Sequence, residues 1–243
     1  MSKLRPYILS IGGFDPSGGA GILADIKTFE QHKLLGLAVN TANTIQNEDE
    51  FLSVNWLSEE LIISQLKTLA NKYKIDFVKI GLIPSYSLLK SIRETTNCQT
   101  LLLDPIFSAS AGYDFKTSVD ELMISIDCVD ILTPNWEEIQ IIYPNTDPIE
   151  ASKKLSEKVT VYLKGGHNSK DLGKDYLFQK GQMKAYRSKT KRASKKHGSG
   201  CVFSSALLSN LAKGKSLHQS CLKAKQYISK ALDSNTTKLS YHK

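Results

Sequence analysis

The sequence predicts an α/β protein: a single-domain, three-layer α/β/α fold with a mostly parallel central sheet. Three observations predict it. Short β-branched or apolar runs alternate with apolar residues at helical spacing from one end to the other. Polar and glycine-rich segments follow those runs almost one for one. No internal repeat, low-complexity tract or linker interrupts the 243 residues. Strand and helix in strict alternation imply parallel strands joined by crossover helices that cover both faces. One domain over residues 1–243 is expected, with the polar residues 235–243 as a loosely held tail.

Strands are expected at residues 7–11, 38–41, 77–80, 101–104, 129–132 and 159–163, where apolar and β-branched side chains run together. Between them Ile62, Leu66, Leu69 and Tyr73 recur at helical spacing, as do Leu88, Leu89 and Ile92, and then Leu122 and Ile126. After Gly165-Gly166 the rhythm changes. Residues 176–178 and 183–186 read as a β-hairpin closed by the four residues Gln179, Lys180, Gly181 and Gln182. Two helices finish the chain, one from about residue 200 to Lys213 and one carrying Leu217, Leu222, Tyr227 and Leu232.

Composition excludes several classes. A 41% hydrophobic content supports a sizeable core, and no apolar run approaches the ~18 residues of a membrane span. Residues 1–6 lead into an apolar strand rather than a signal-peptide pattern, so a cytoplasmic protein with no membrane partner is expected. Cys98, Cys128, Cys201 and Cys221 form no Cys-x-x-Cys pair, which argues against zinc and against a disulfide framework. Of the net charge of +8, seven basic residues (Lys184, Arg187, Lys189, Lys191, Arg192, Lys195 and Lys196) crowd one stretch without an acid. Only Tyr186 interleaves them, so no nucleic-acid partner is expected. The stretch is either a solvated loop or a basic flap that helps to hold a nucleotide's phosphates.

Ligands of open α/β sheets bind beyond the carboxyl ends of the strands. After the first strand stands Gly12-Gly13-Phe14-Asp15-Pro16-Ser17-Gly18-Gly19-Ala20-Gly21, ahead of a helix that contains Asp25. Its five glycines allow close backbone approach to a ligand or merely a flexible turn. Gln46 offers an amide that can read a heterocycle. Asn135 and Glu138, three apart at a helix start, could orient the water shell of Mg²⁺ or serve as an N-terminal cap. Lys164-Gly165-Gly166-His167 offers a cation to phosphate. Gly198-Ser199-Gly200-Cys201 opens a helix, a place suited to holding a phosphate beside a thiol whose pKa the helix end would lower.

Taken in order, the segment from Gly13 to Asp25, Gln46-Asn47, Lys79-Ile80-Gly81, Asp104-Pro105, Thr133-Pro134-Asn135 with Glu138, Lys164-Gly165-Gly166-His167 and His197-Gly198-Ser199-Gly200-Cys201 closely resemble one family. It is the hydroxymethylpyrimidine/phosphomethylpyrimidine kinases of thiamine biosynthesis, in the ribokinase-like superfamily, and the likeness runs from about residue 7 to residue 232. The resemblance implies a homodimeric kinase that uses ATP and Mg2+ to phosphorylate 4-amino-5-hydroxymethyl-2-methylpyrimidine and then its monophosphate. By the same resemblance, Asp25 and Gln46 read the aminopyrimidine edge, and Gly13 and Leu82 line its pocket. Asn135 and Glu138, with Asp104, organise magnesium; Lys164, Gly166, Asn135 and Lys195 meet the nucleotide. Gly198, Ser199 and Gly200 form an anion hole, and Cys201 takes the proton of the hydroxyl.

The chain departs from the family where Ile106-Phe107-Ser108-Ala109-Ser110-Ala111-Gly112 replaces a lysine-bearing segment, and where a glycine-rich C-terminal segment is missing. Lys195 or Lys196 is expected to compensate. Two alternatives stay open: a pyridoxal kinase of the same superfamily, whose members also carry a cysteine in the glycine turn, and a non-catalytic ligand-binding relative. Gln46 and the Pro-Ser-Gly-Gly loop favour the pyrimidine; Asn135, Glu138, Lys164 and Cys201 together favour catalysis.

Overall fold

The computed structural model describes residues 4–109, 112–167, 171–187 and 196–242. Among them the strands are β1 (Tyr7–Phe14), β2 (Leu35–Gln46), β3 (Phe51–Trp56), β4 (Phe77–Ile80), β5 (Thr100–Leu103), β6 (Ile131–Leu132), β7 (Thr160–Leu163), β8 (Lys174–Gln179) and β9 (Gln182–Arg187). The helices are α1 (Gly21–Gln31), α2 (Glu59–Ala70), α3 (Leu88–Thr96), α4 (Val119–Ile124), α5 (Trp136–Ile142), α6 (Pro148–Leu155), α7 (Ser199–Ala212) and α8 (Leu217–Leu232).

The strands form one sheet in the order β3-β2-β1-β4-β5-β6-β7-β8-β9. From β2 to β7 every neighbouring pair is parallel; β3, β8 and β9 add antiparallel edges. Side chains alternate between faces along a strand, and that alternation sorts the core in two. Leu9, Ile11, Leu101, Leu103, Val161 and Leu163 pack with α2 to α6. Ile8, Leu102 and Tyr162, at the alternate positions, pack with α1, α7 and α8. This is the α/β/α layering expected from the sequence.

Several boundaries differ. β3 and α6 were not expected. β3 is a half-exposed edge strand whose apolar pattern is diluted by Ser53 and Asn55. The α6 signal is present in the sequence: Asp147 caps Ile149 N (2.9 Å) and Glu150 N (3.3 Å), and Pro148 stands at the first helical position. The hairpin closes with two residues rather than four, because Lys180 (φ 47°) and Gly181 (φ 72°) both adopt the left-handed conformation of a tight two-residue turn. The C-terminal segment is not loose over its described residues: His197 N donates to Lys238 O at 2.9 Å, and Asn235 Nδ2 donates to Leu239 O at 2.9 Å. No helix among the described residues is long and apolar enough to cross a membrane.

Candidate active site

In the sheet order, β2 and β4 flank β1, so the chain reverses its direction of winding there and a crevice opens at the carboxyl ends of β1 and β4. Gly13 and Leu82 meet in it. A side chain on Gly13 would begin 3.1 Å from Leu82 Cδ2, while Thr41 Oγ1 holds Leu82 O at 2.6 Å. Gln46, at the end of β2, donates its amide to Thr44 Oγ1 at 2.7 Å. Thr44 Oγ1 in turn donates to Phe14 O at 2.8 Å. The three expected pocket residues Gly13, Leu82 and Gln46 therefore stand on adjoining strand ends.

Asp25 does not stand open beside them. It is buried, and its oxygens accept from Lys79 Nζ (2.7 and 2.9 Å), Ser10 Oγ (2.6 Å) and Ser205 Oγ (2.6 Å). A carboxylate has roughly four lone-pair sites, and these four bonds fill them. The expected reader of the aminopyrimidine edge is thus a buried anchor for Lys79, itself 1% exposed, and for α7 through Ser205. Lys79 is held well above the ordinary lysine range: burial works against its charge, but Asp25 first, then Cys201 and Asp104, favour it.

The second group of residues gathers at the carboxyl ends of β5, β6 and β7. Lys164 follows β7 and pairs with Asp104 Oδ1 at 2.7 Å and with Glu138 Oε2 at 3.7 Å. Thr133 Oγ1 supports Asp104 Oδ1 at 2.9 Å, and Ser204 Oγ of α7 reaches Asp104 Oδ2 at 3.2 Å. Asn135 and Glu138 form a capping box on α5: Asn135 Oδ1 accepts from Glu137 N (2.8 Å) and Glu138 N (2.9 Å), and Asn135 N donates to Glu138 Oε2 at 2.6 Å. The cap reading is therefore realised, and it fixes Glu138 beside Lys164.

Two carboxylates here share one ammonium. Burial pushes the Glu138 carboxyl up to about 7, with Lys164 opposing and Asp104 adding to the rise. Although burial works against it too, Asp104 is held below the usual carboxylate range by Lys164 and Lys79. Among the described residues no three His, Cys, Asp or Glu side chains converge on a point. Mg²⁺ needs no such cage, since it takes one or two carboxylates plus waters and substrate phosphates, and the excess negative charge of Asp104 and Glu138 fits it.

The glycine turn lies against this group. A side chain on Gly200 would begin 3.2 Å from Lys164 Nζ and 3.8 Å from Asp104 Oδ2, so the ammonium lies close against the start of α7 and a side chain there would push it back by a few tenths of an ångström. Gly198 has φ +68°, and a side chain there would meet Gly19 O at 1.9 Å. The first helical bond of α7 runs from Val202 N to Gly198 O at 3.0 Å. Of the amides before it, Ser199 N donates to Lys196 O at 3.4 Å, while those of Gly200 and Cys201 belong to the first turn, whose N–H groups lack helical acceptors and attract anions.

Cys201 is buried in that turn, and its thiol is not lowered as expected. Burial pushes it up to about 11; Lys79 and the N–H of Gly21 favour the thiolate, but Asp25 and Asp104 oppose it. Desolvation and two carboxylates outweigh the helix end.

Gly166 is exposed in the short turn Gly165–His167 after β7, where nothing crowds it. Lys195 lies outside the described residues, as does the basic stretch 188–195. Lys196 is not free for phosphate: its ammonium donates to Asn235 O (2.8 Å), to Asn235 Oδ1 (2.7 Å) and to Thr237 O. Sequence reasoning gave no role to Lys79, Asp15, Ser204 or Ser205. The two serines carried a usable signal, since they sit three and four residues after Cys201 and so share its helix face.

A doubly wound sheet with a glycine-rich crevice at its switch point, and a lysine, two carboxylates and a helix N-terminus one strand group away, defines a small-molecule kinase of the ribokinase-like fold. The chain belongs to the phosphomethylpyrimidine kinase family, whose pattern matches residues 15–243. A hydroxymethylpyrimidine/phosphomethylpyrimidine kinase of Aquifex aeolicus is 32% identical over 95% of this chain and 95% of its own length. The crystal structure of phosphomethylpyrimidine kinase from Clostridium difficile superposes with a TM-score of 0.79 at 29% identity, covering 93% of this chain and 99% of that one. An ADP complex of Bacillus subtilis pyridoxal kinase has a TM-score of 0.83 at 24% identity, over 96% of this chain and 94% of that one, a likeness of fold.

Proposed function

We propose that this kinase transfers the γ-phosphoryl group of ATP, with Mg²⁺, to the hydroxymethyl group of 4-amino-5-hydroxymethyl-2-methylpyrimidine and then to the resulting monophosphate. The observation that carries the reading is the approach of Lys164 Nζ to the backbone of Gly200, which puts a cation, the first-turn amides of α7 and the thiol of Cys201 around one place. Phosphoryl transfer asks the protein mainly for position and for neutralisation of charge on the moving group. Lys164 and the amides of Gly200 and Cys201 supply both, with Ser199 adding its own amide if it gives up Lys196 O. Gly13, Leu82 and Gln46 hold the pyrimidine so that its hydroxymethyl group points toward the turn, with Asp25 supporting that wall from beneath. Glu138 and Asp104, oriented through Asn135 and Thr133, would hold Mg²⁺. Mg²⁺, when bound, neutralises phosphate charge.

Cys201 takes the proton of the alcohol as the bond to phosphorus forms. Its thiolate is a minor form near neutral pH, so this help grows with pH. The acceptor of the second transfer is a phosphate oxygen that already carries charge and needs no base, so that step depends on Cys201 far less. The protein works as a homodimer through the outer edge of the sheet, where Ile45 (51% exposed) and Leu52 (63% exposed) lie on paired strands β2 and β3.

A coupled assay of ADP release with the pyrimidine, its monophosphate and pyridoxal as acceptors tests the reading. Turnover with both pyrimidines is expected. Faster turnover with pyridoxal overturns the substrate, and no acceptor-dependent turnover overturns catalysis. Sedimentation of the wild type against Ile45→Glu/Leu52→Glu tests the dimer, which the double substitution should split.

A further inference from the structure

The glycine-rich loop after β1 and the phosphate turn at the start of α7 are joined by a side-chain pair. His197 Nε2 lies 2.8 Å from Asp15 Oδ2. Asp15 is 1% exposed and also accepts from Ser17 N (2.9 Å), Ser17 Oγ (3.0 Å) and Ala20 N (2.8 Å), so this one carboxylate shapes the whole loop from residue 15 to residue 20. His197 is the residue before Gly198, whose backbone abuts Gly19 O. The imidazole also covers Gly19, where an added side chain would begin 2.6 Å from His197 Cδ2.

The C-terminal segment holds His197 in place from behind. Lys238 O accepts from His197 N at 2.9 Å. The neighbouring Lys196, 6% exposed, is caged by Asn235 and Thr237. Leu239 Cδ2 stands 2.7 Å from where a side chain on Gly19 would begin, so the same segment presses on the substrate loop. Lys238 Nζ reaches Asp49 in the turn after β2, next to the pyrimidine side of the crevice. The segment from residue 235 to residue 239 thus bonds to the residues just before the phosphate turn and to the turn after β2, and lays Leu239 against the glycine-rich loop.

We propose that Asp15 and His197, braced by residues 235–239, are positioning residues that couple the substrate loop to the anion-binding turn, so that pyrimidine and nucleotide each tighten the binding of the other. The inference rests on the kinase reading, because it assigns the pyrimidine to the first loop and the phosphates to the second. An uncoupled pair of loops would hold both ligands but misalign them, and a misplacement of about 1 Å can cost on the order of 10² in rate.

The test is calorimetric titration of the full chain with the hydroxymethylpyrimidine and with Mg²⁺ and a non-hydrolysable ATP analogue, each alone and in the presence of the other. In the wild type each ligand should tighten the other at least about fivefold, the lower end of ordinary coupling. In His197→Ala both should still bind, the linkage factor should fall to about 1, and kcat should fall about 10–100-fold. His197→Gln, whose amide N–H can reach Asp15, should restore most of both. Wild-type linkage retained in His197→Ala, or no linkage in the wild type, overturns the proposal. Amide hydrogen exchange separates this failure from failure of the kinase reading. If the wild type turns over no acceptor, the reading falls, yet exchange at residues 18–20 and 199–201 should still speed up together in His197→Ala, and unchanged exchange overturns the coupling. If His197→Ala does not fold, Asp15→Asn is subjected to the same measurements and judged by the same outcomes.

Discussion

Asp25 meets Lys79 as one carboxylate to one ammonium, both 1% exposed in their side chains, whereas Asp104 and Glu138 meet Lys164 as two to one, with Lys164 14% exposed. Both groups reach α7 through consecutive serines: Ser205 bonds to Asp25 at 2.6 Å and Ser204 to Asp104 at 3.2 Å. The difference teaches what each end is for. The balanced, saturated pair has no valence left for a ligand and fixes the helix. The unbalanced trio keeps charge that a cation and a phosphate can complete.

Lys164→Met removes the only ammonium of the unbalanced trio and should break the comparison most. A cation placed on a transferring phosphoryl group is worth about 10³ to 10⁵ in rate in other enzymes, so kcat for the alcohol should fall within that range. Steady-state kinetics check it, and a loss under tenfold would remove Lys164 from the chemistry. Cys201→Ala comes next, with an expected loss of about 10² to 10⁴ in phosphorylation of the alcohol, as general-base help is worth. Phosphorylation of the monophosphate should change by less than about tenfold. Because burial raises the thiol to about 11, the wild-type rate should climb with pH below that value, and the climb should vanish in Cys201→Ala.

Lys79→Met tests the balanced end. It leaves Asp25 buried and unpaired, which should cost about 3–5 kcal/mol of stability; denaturant unfolding measures it. A Lys79→Met protein with wild-type stability would mean that the pair is not an anchor.

Glu138→Gln should give the smallest effect on stability. The folded Glu138 titrates near 7, above its unfolded value, so between those pH values the folded state holds more protons than the unfolded one. Stability should therefore fall as pH rises through that window. Removing the carboxyl should flatten the dependence by about 2–4 °C in Tm, the span of roughly 1 kcal/mol in a chain of this size. Thermal melts from pH 5 to 8 read the slope.

Much of the fold was legible because its signals are local. The period-two alternation of Leu9, Ile11 and Ile8, or of Leu101, Leu103 and Leu102, already sorts residues to opposite faces. β3 was missed because an edge strand buries too little to need a clean pattern, and α6 because its apolar face is only a few residues long. Of the site, Gln46, Asn135, Glu138, Lys164 and the glycine turn were named from their positions after strands, where ligands of such sheets bind, and Gly13, Leu82 and Asp104 from the family resemblance.

The sequence by itself determined the alternation of strands and helices, the glycines that permit close approach, and the family to which the chain belongs. Those follow from short-range spacing and from residue types that tolerate few substitutes. Only the tertiary structure decided which charges meet. Asp25 finds Lys79 across 54 residues, and Asp15 finds His197 across 182. Burial among such distant partners turned Asp25 from a ligand reader into an anchor, committed Lys196 to the C-terminal segment and raised the Cys201 thiol. Desolvation and pairing depend on what surrounds a group in space, and no local pattern along the chain encodes them.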